Sequence, residues 1–269
     1  MDAFLFISSL IALRVKARKG LKLGSQNEVN EKSCVSCSNA PKCALHDTVK
    51  AYDRHVVVID NAPEEWSSHL EKAPSSFLHF FSSATKALLG NTVKVKLTAA
   101  AIEGYGDSQH AWVYPEGILV RLPSQESKEK DMEDFVGGLH EKELSAEFKN
   151  RFLSDKYGQW TFERLVLVCV HGTRDKRCGK AGPVALKAIQ QECDRRGLTD
   201  SICVAGSSHI GGHKYAATLI SYPGGEWFGQ VTPKKAGLLV DFIVGKDQSM
   251  LALGGELNKC FRGSAGLDW

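Results

Sequence analysis

The stretch that decides the fold is Glu163–Ala205, ERLVLVCVHGTRDKRCGKAGPVALKAIQQECDRRGLTDSICVA. Glu163–Val170 is a nearly continuous apolar run, which reads as a central strand. A charged, glycine-containing loop follows it. From Gly182 to Arg196 the residues Val184, Leu186, Ile189 and Cys193 recur at helical spacing. Ser201–Ala205 is the next strand, short and apolar.

Toward the C-terminus a second loop, SSHIGGHKYA, precedes two strands, Ala217–Tyr222 and Trp227–Val231. They meet at Pro223-Gly224-Gly225. Thr232-Pro233 then opens a last helix through Val244, with Thr232 as N-cap and Pro233 at the first helical position. This block is β-α-β-loop-β-β-α, the order of a thioredoxin-like fold.

A first block lies upstream. His55–Asp60 reads as a buried strand, Ser76–Leu89 as a helix and Thr92–Leu97 as an alternating strand. Ala111–Tyr114 and Gly117–Leu122 read as a hairpin around Pro115-Glu116. A solvated charge run, 125–133, and a helical stretch over Asp131–Leu153 lead away from it. The expected fold class is therefore α/β with two domains. A flexible leader (1–30) precedes a smaller or degenerate N-terminal α/β domain (31–155). A thioredoxin-like domain (156–250) and a C-terminal tail (251–269) follow.

The chain has 269 residues, 43% of them hydrophobic and 24% charged, so it can bury one large core or two small ones. A net charge of +3 without a basic, aromatic-interleaved stripe argues against nucleic acid as a partner. Ala3–Leu13 is apolar but too short to span a bilayer as a helix. Arg14, Lys16, Arg18, Lys19 and Lys22 follow it, and Asp2 is the only acid before Glu28. That pattern fits an organellar presequence, for a mitochondrion or plastid, or a surface-associated leader. The eight cysteines are clustered rather than spread through a small scaffold, which points to intracellular metal or redox chemistry.

Four of the potential ligands stand out. Cys169-x8-Cys178 and His209-x3-His213 are good soft-metal ligands in loops of small residues. Zinc, a [2Fe–2S] cluster and four unrelated residues are all readings of them. The zinc-protease pattern lacks its Glu, because Ile210 follows His209. A structural zinc site uses tighter cysteine spacing than Cys169-x8-Cys178. Gly172, Gly179, Gly211 and Gly212 would let backbone N–H groups approach a cluster. Arg174, Arg177 and Lys214 could offset its charge, or could form a solvated loop face.

The segments HGTRDKRCG and SHIGGHKYA, with WFGQVTP after them, resemble the sucrase/ferredoxin-like family. The resemblance runs from about Cys34 onward and is specific in the second block. It implies a [2Fe–2S] cluster in a C-terminal thioredoxin-like domain, with Cys169 and Cys178 on one iron and His209 and His213 on the other. Two thiolates and two neutral imidazoles would leave an oxidised cluster near zero charge, which raises its potential. The second imidazole nitrogen could lose a proton on oxidation, coupling the electron to a proton. The implied function is electron transfer, more that of a carrier than of an enzyme with its own substrate. Its redox partner, a reductase or acceptor, is not named by the sequence. A thiol oxidoreductase and an iron or redox sensor are the alternatives.

Cys34-x2-Cys37-x5-Cys43-x2-His46 has the composition of a second metal site, a redox-active thiol set or neither. Cys193 and Cys203 read as core residues. The chain ends Leu267-Asp268-Trp269. An apolar anchor, an acid and a terminal aromatic resemble the tail by which client proteins engage the cytosolic iron–sulfur assembly machinery. That tail argues for a cytoplasmic protein.

Overall fold

β1 (Arg54–Ile59) is a β-branched run buried along its whole length. It pairs in parallel with β2 (Val95–Ala101) and antiparallel with β3 (His110–Tyr114). β4 (Ile118–Arg121) closes the hairpin with β3. Helix α1 (Phe77–Ala87) connects β1 to β2, and α2 (Glu129–Leu139) and α3 (Ala146–Phe152) follow β4. The second half repeats the order. β5 (Arg164–Cys169) leads into α4 (Lys176–Arg195) and then into β6 (Ile202–Ser207), parallel to β5. β7 (Leu219–Tyr222) pairs antiparallel with β5, and β8 (Glu226–Phe228) with β7. α5 (Ala236–Ile243) follows, and β9 (Phe261–Ser264) pairs with β8. This computed structural model describes residues 45–74, 76–87, 93–102, 109–124, 129–155, 162–246 and 255–265.

The chain is mixed α/β, and in each half the elements run β-α-β-β-β-α. Among the described residues, nine strands form one sheet in the order β4-β3-β1-β2-β6-β5-β7-β8-β9. The halves run outward symmetrically from the antiparallel β2–β6 seam, where Ala100 faces Ser207 and Ala101 faces Gly206. The expected boundary at residue 155 thus separates two halves that share a sheet. Both hairpin turns begin with a cis Tyr-Pro bond, at Tyr114-Pro115 and Tyr222-Pro223.

Alternation along the strands sorts the core into layers. Val56, Val58, Val113 and Val120 face α1, α2 and α3 through Leu78, Phe81, Phe135 and Phe148. Val166, Val168 and Leu219 face α4 and α5 through Ile189, Leu239 and Phe242. The opposite strand faces of both halves meet in a third core, with Val57, Trp112 and Tyr114 against Leu167, Ile220 and Tyr222. Tyr114 stacks on Tyr222 at 4.0 Å between centroids. Their strands stand five places apart, about 24 Å in a flat sheet, so the sheet curls until its two halves touch.

Four elements differ from expectation. The helical stretch over 131–153 is broken into α2 and α3. Ser145 caps α3 by accepting the Phe148 N–H at 3.1 Å, and the Phe148 ring occupies the space a side chain on Gly138 would need. α4 begins at Lys176 rather than at Gly182, with Asp175 as its N-cap. Thr232 makes no side-chain cap, and a single 3-10 turn separates it from α5. Phe261–Ser264 was expected as tail and instead extends the sheet, because β8 offers it a free edge. The leader and residues 266–269 lie outside the described residues.

Candidate metal centre

Cys169 is the last residue of β5, and Cys178 lies in the first turn of α4, so both sulfurs sit where strand ends and helix N-terminus meet. That approach depends on glycine. A Cβ on Gly182 would overlap the Cys169 carbonyl oxygen, and a Cβ on Gly179 would stand 2.5 Å from the Gly172 Cα. Asp175 accepts the Arg177 N–H at 2.9 Å, and the Arg177 guanidinium beside it holds the carboxyl well below the usual range. The α4 dipole favours negative charge at this end.

The loop after β6 brings His209 to the same place. Ligand atoms of Cys169, Cys178 and His209 all lie within 4.8 Å of one another, the only such group of three among the described residues. His213 is not part of that group of three; its ring lies 5.3 Å from the His209 ring between centroids, and its Nδ1 lies 3.7 Å from Asp175 Oδ2. Both sulfurs are fully buried, whereas the His213 side chain is 45% exposed. The Nδ1 atoms of His209 and His213 are buried without a hydrogen-bond partner. Between the rings, Gly211 and Gly212 have φ of 106° and 73°, a region that favours glycine.

The two thiols share their protons unequally. The Cys178 thiol beside it pulls Cys169 down to about 4, with help from the His209 ring and the N–H groups of His171 and Ile210. The Cys169 sulfur and burial push Cys178 up. Two thiols, one of them held low, beside an imidazole nitrogen of His209 that lacks a hydrogen-bond partner, are a suitable donor set for iron or zinc.

Further residues shape the site, and of these sequence reasoning did not single out His171, Thr173, Lys96 or Arg262. His171 accepts the His209 N–H on Nδ1 at 3.1 Å, so its proton is on Nε2, which donates to the Ser67 carbonyl at 2.9 Å. Thr173 donates to the Trp66 carbonyl at 2.7 Å and Arg174 to the Ser68 carbonyl at 3.1 Å. The N-terminal half therefore grips the first ligand loop. Lys96 donates to the Ile210 carbonyl at 2.9 Å, and Arg262 to the Gly211 carbonyl at 3.4 Å. The only signal for His171 was its place in HGTRDKRCG. Lys96 alternates with Val93 and Val95, which reads as a solvent-facing position on a half-buried strand.

The other expected participants fall elsewhere. Arg177 is spent on Asp175, and Lys214 lies over the Tyr215 ring at 4.7 Å. Cys193 is buried against α5, and Cys203 packs half-buried against the shared core. His46 bonds the Asn258 carbonyl through Nε2 at 3.0 Å. Cys34, Cys37 and Cys43, like Leu267, Asp268 and Trp269, lie outside the described residues.

A family sequence model described as sucrase/ferredoxin-like matches residues 45–257. The chain belongs to the sucrase/ferredoxin-like family. A relative, "Altered inheritance of mitochondria protein 32" of Debaryomyces hansenii, is 26% identical over 215 residues, covering 71% of this chain and 78% of that protein. "Actin patches distal protein 1" of Saccharomyces cerevisiae is 31% identical over 99 residues, 32% of this chain and 31% of its own. Of solved structures, a thioredoxin-like [2Fe–2S] ferredoxin from Aquifex aeolicus matches 40% of this chain and 100% of its own. The identity there is 15% and the TM-score 0.31, a likeness that carries no argument. Among the described residues, no helix is long and apolar enough to cross a membrane.

Proposed function

We propose that this chain holds one [2Fe–2S] cluster on Cys169, Cys178, His209 and His213 and works as a one-electron carrier. The observation that carries this reading is the convergence of Cys169, Cys178 and His209 ligand atoms within 4.8 Å, with Nδ1 of His209 buried and without a hydrogen-bond partner. A buried polar atom without a partner is costly, and a metal bond removes that cost. When bound, the cluster supplies a one-electron couple whose potential histidine ligation raises.

Nδ1 is the buried nitrogen of each ring, so it is the atom suited to the metal, and Nε2 is left to hold a proton. Loss of that proton on oxidation couples electron to proton, and the midpoint potential then falls as pH rises. Thiol exchange is the rival chemistry for a Cys169 thiolate beside a protonated Cys178. Full burial of both sulfurs favours the carrier, because a disulfide substrate cannot reach them.

Iron and sulfide content, with visible and EPR spectra before and after reduction, tests the reading on anaerobically purified protein. A reversible, EPR-active reduced state is expected. A colourless protein with stoichiometric zinc would overturn it, and a cluster that disassembles on oxidation would favour a sensor. The reading extends to Leu267, Asp268 and Trp269 as a recognition segment for the cytosolic assembly machinery that would load the cluster. Deleting Trp269 should lower iron occupancy in cells without changing the far-UV CD spectrum. Unchanged occupancy would remove that part of the proposal.

A further inference from the structure

The N-terminal half contributes no ligand from its described residues, yet it sends a positive charge into the site. Lys96 sits on β2, next to the seam that joins the halves. Its ammonium donates to the carbonyl of Ile210, the residue after His209. It lies over the faces of Trp227 and Tyr52, at 5.1 and 5.9 Å from the ring centroids. Arg262 approaches the same loop from β9. It is 3% exposed, lies over Tyr215 and Trp227, and packs where a side chain on Gly212 would stand. Among the described residues, neither cation has a carboxylate partner.

Two cations held close together, Arg262 buried and Lys96 half-buried, call for a counter-charge. Aromatic faces supply part of it. Burial and the Arg262 charge disfavour the Lys96 ammonium, and the Cys169 sulfur favours it. The Ile210 carbonyl, one residue past His209, is held by Lys96. The ammonium thus fixes the backbone beside His209, and it adds a fixed positive charge where an electron would arrive.

We propose that Lys96 is a positioning residue of the metal centre, by which the N-terminal half raises the midpoint potential of the cluster. This rests on the cluster reading above. A fixed cation in a poorly solvated site stabilises the state with one more negative charge, so reduction becomes easier. The chain's two halves then divide the work. One supplies the ligands, and the other supplies the charge that sets how strongly those ligands hold an electron.

The test compares full-length wild type with K96M, K96Q and K96R after anaerobic reconstitution. Iron and sulfide content, far-UV CD, EPR of the reduced state and dye-mediated redox titration are measured on each. Lower midpoint potentials are expected for K96M and K96Q, with the wild-type EPR line shape kept. K96R should hold the wild-type value, since it keeps the charge. If K96M does not fold, K96Q decides, because its amide can still bond Ile210 while carrying no charge. A K96Q protein with full cluster and wild-type potential would overturn the proposal, and so would K96R falling as far as K96Q. Failure of the cluster reading looks different, as it shows in the wild type, which would contain no iron or sulfide.

Discussion

Histidines are used in two ways in this chain. His209 and His213 each keep a buried Nδ1 without a hydrogen-bond partner, that of His213 standing 3.7 Å from Asp175 Oδ2, while His55 and His171 have both nitrogens engaged. His55 lies between the Tyr222 hydroxyl at 2.5 Å and the Thr98 hydroxyl at 2.9 Å. Burial, then the Lys96 charge, holds it well below the usual 6.5. Burial lowers His171 as well. The unfolded chain therefore binds protons that the folded chain does not. Stability is full above pH 6.5 and falls as pH drops below it, by up to about 1.4 kcal/mol per pH unit for each histidine. Urea unfolding at pH 7.5 and 5.5 should show that loss, and H55Q should reduce it. Removing His171 strands the His209 N–H and the Ser67 carbonyl. H171A should cost about 1–3 kcal/mol in urea unfolding and lower iron occupancy. None of this was legible from residue type. The metal candidates and the hydrogen-bonded histidines look alike until their neighbours are known.

At the scale of elements, glycine decides where α4 can lie. In an exposed helix, Gly→Ala gains up to about 1 kcal/mol. Gly182 should reverse that sign, because its Cβ would overlap the Cys169 carbonyl. Gly137 in α2 has open space around it and should keep the ordinary sign. Thermal melts of G182A and G137A would show the contrast, and stabilisation by both would remove the close-approach argument. The early start of α4 escaped the periodicity because Gly179, Gly182 and Pro183 all weaken a helix signal. Asp175 before Lys-Arg-Cys was the available N-cap signal. β9 gave little to read, since Arg262 and Gly263 break the apolar pattern of an edge strand. The buried runs of β1 and β5 were plain, because a strand covered on both faces needs no alternation.

At the scale of the molecule, the halves are coupled by the seam, the shared core and the grip of Trp66, Ser67 and Ser68 on the Cys169–Cys178 loop. Residues 156–269 expressed alone would expose Leu167, Ile220, Tyr222 and Trp227 to water. That fragment should be poorly soluble and retain little iron next to the whole chain. A soluble, fully loaded fragment would show that the halves are independent. The amino-acid sequence by itself determined the order of elements, the cysteine and histidine candidates and the family resemblance. These are local matters of periodicity, spacing and residue chemistry. Only the tertiary structure decided that two similar halves curl one sheet around a common core, and that His171 and Lys96 serve a site built by other residues. Contacts across such distances depend on how the sheet closes, and no pattern along the chain encodes which side chains that closure brings together.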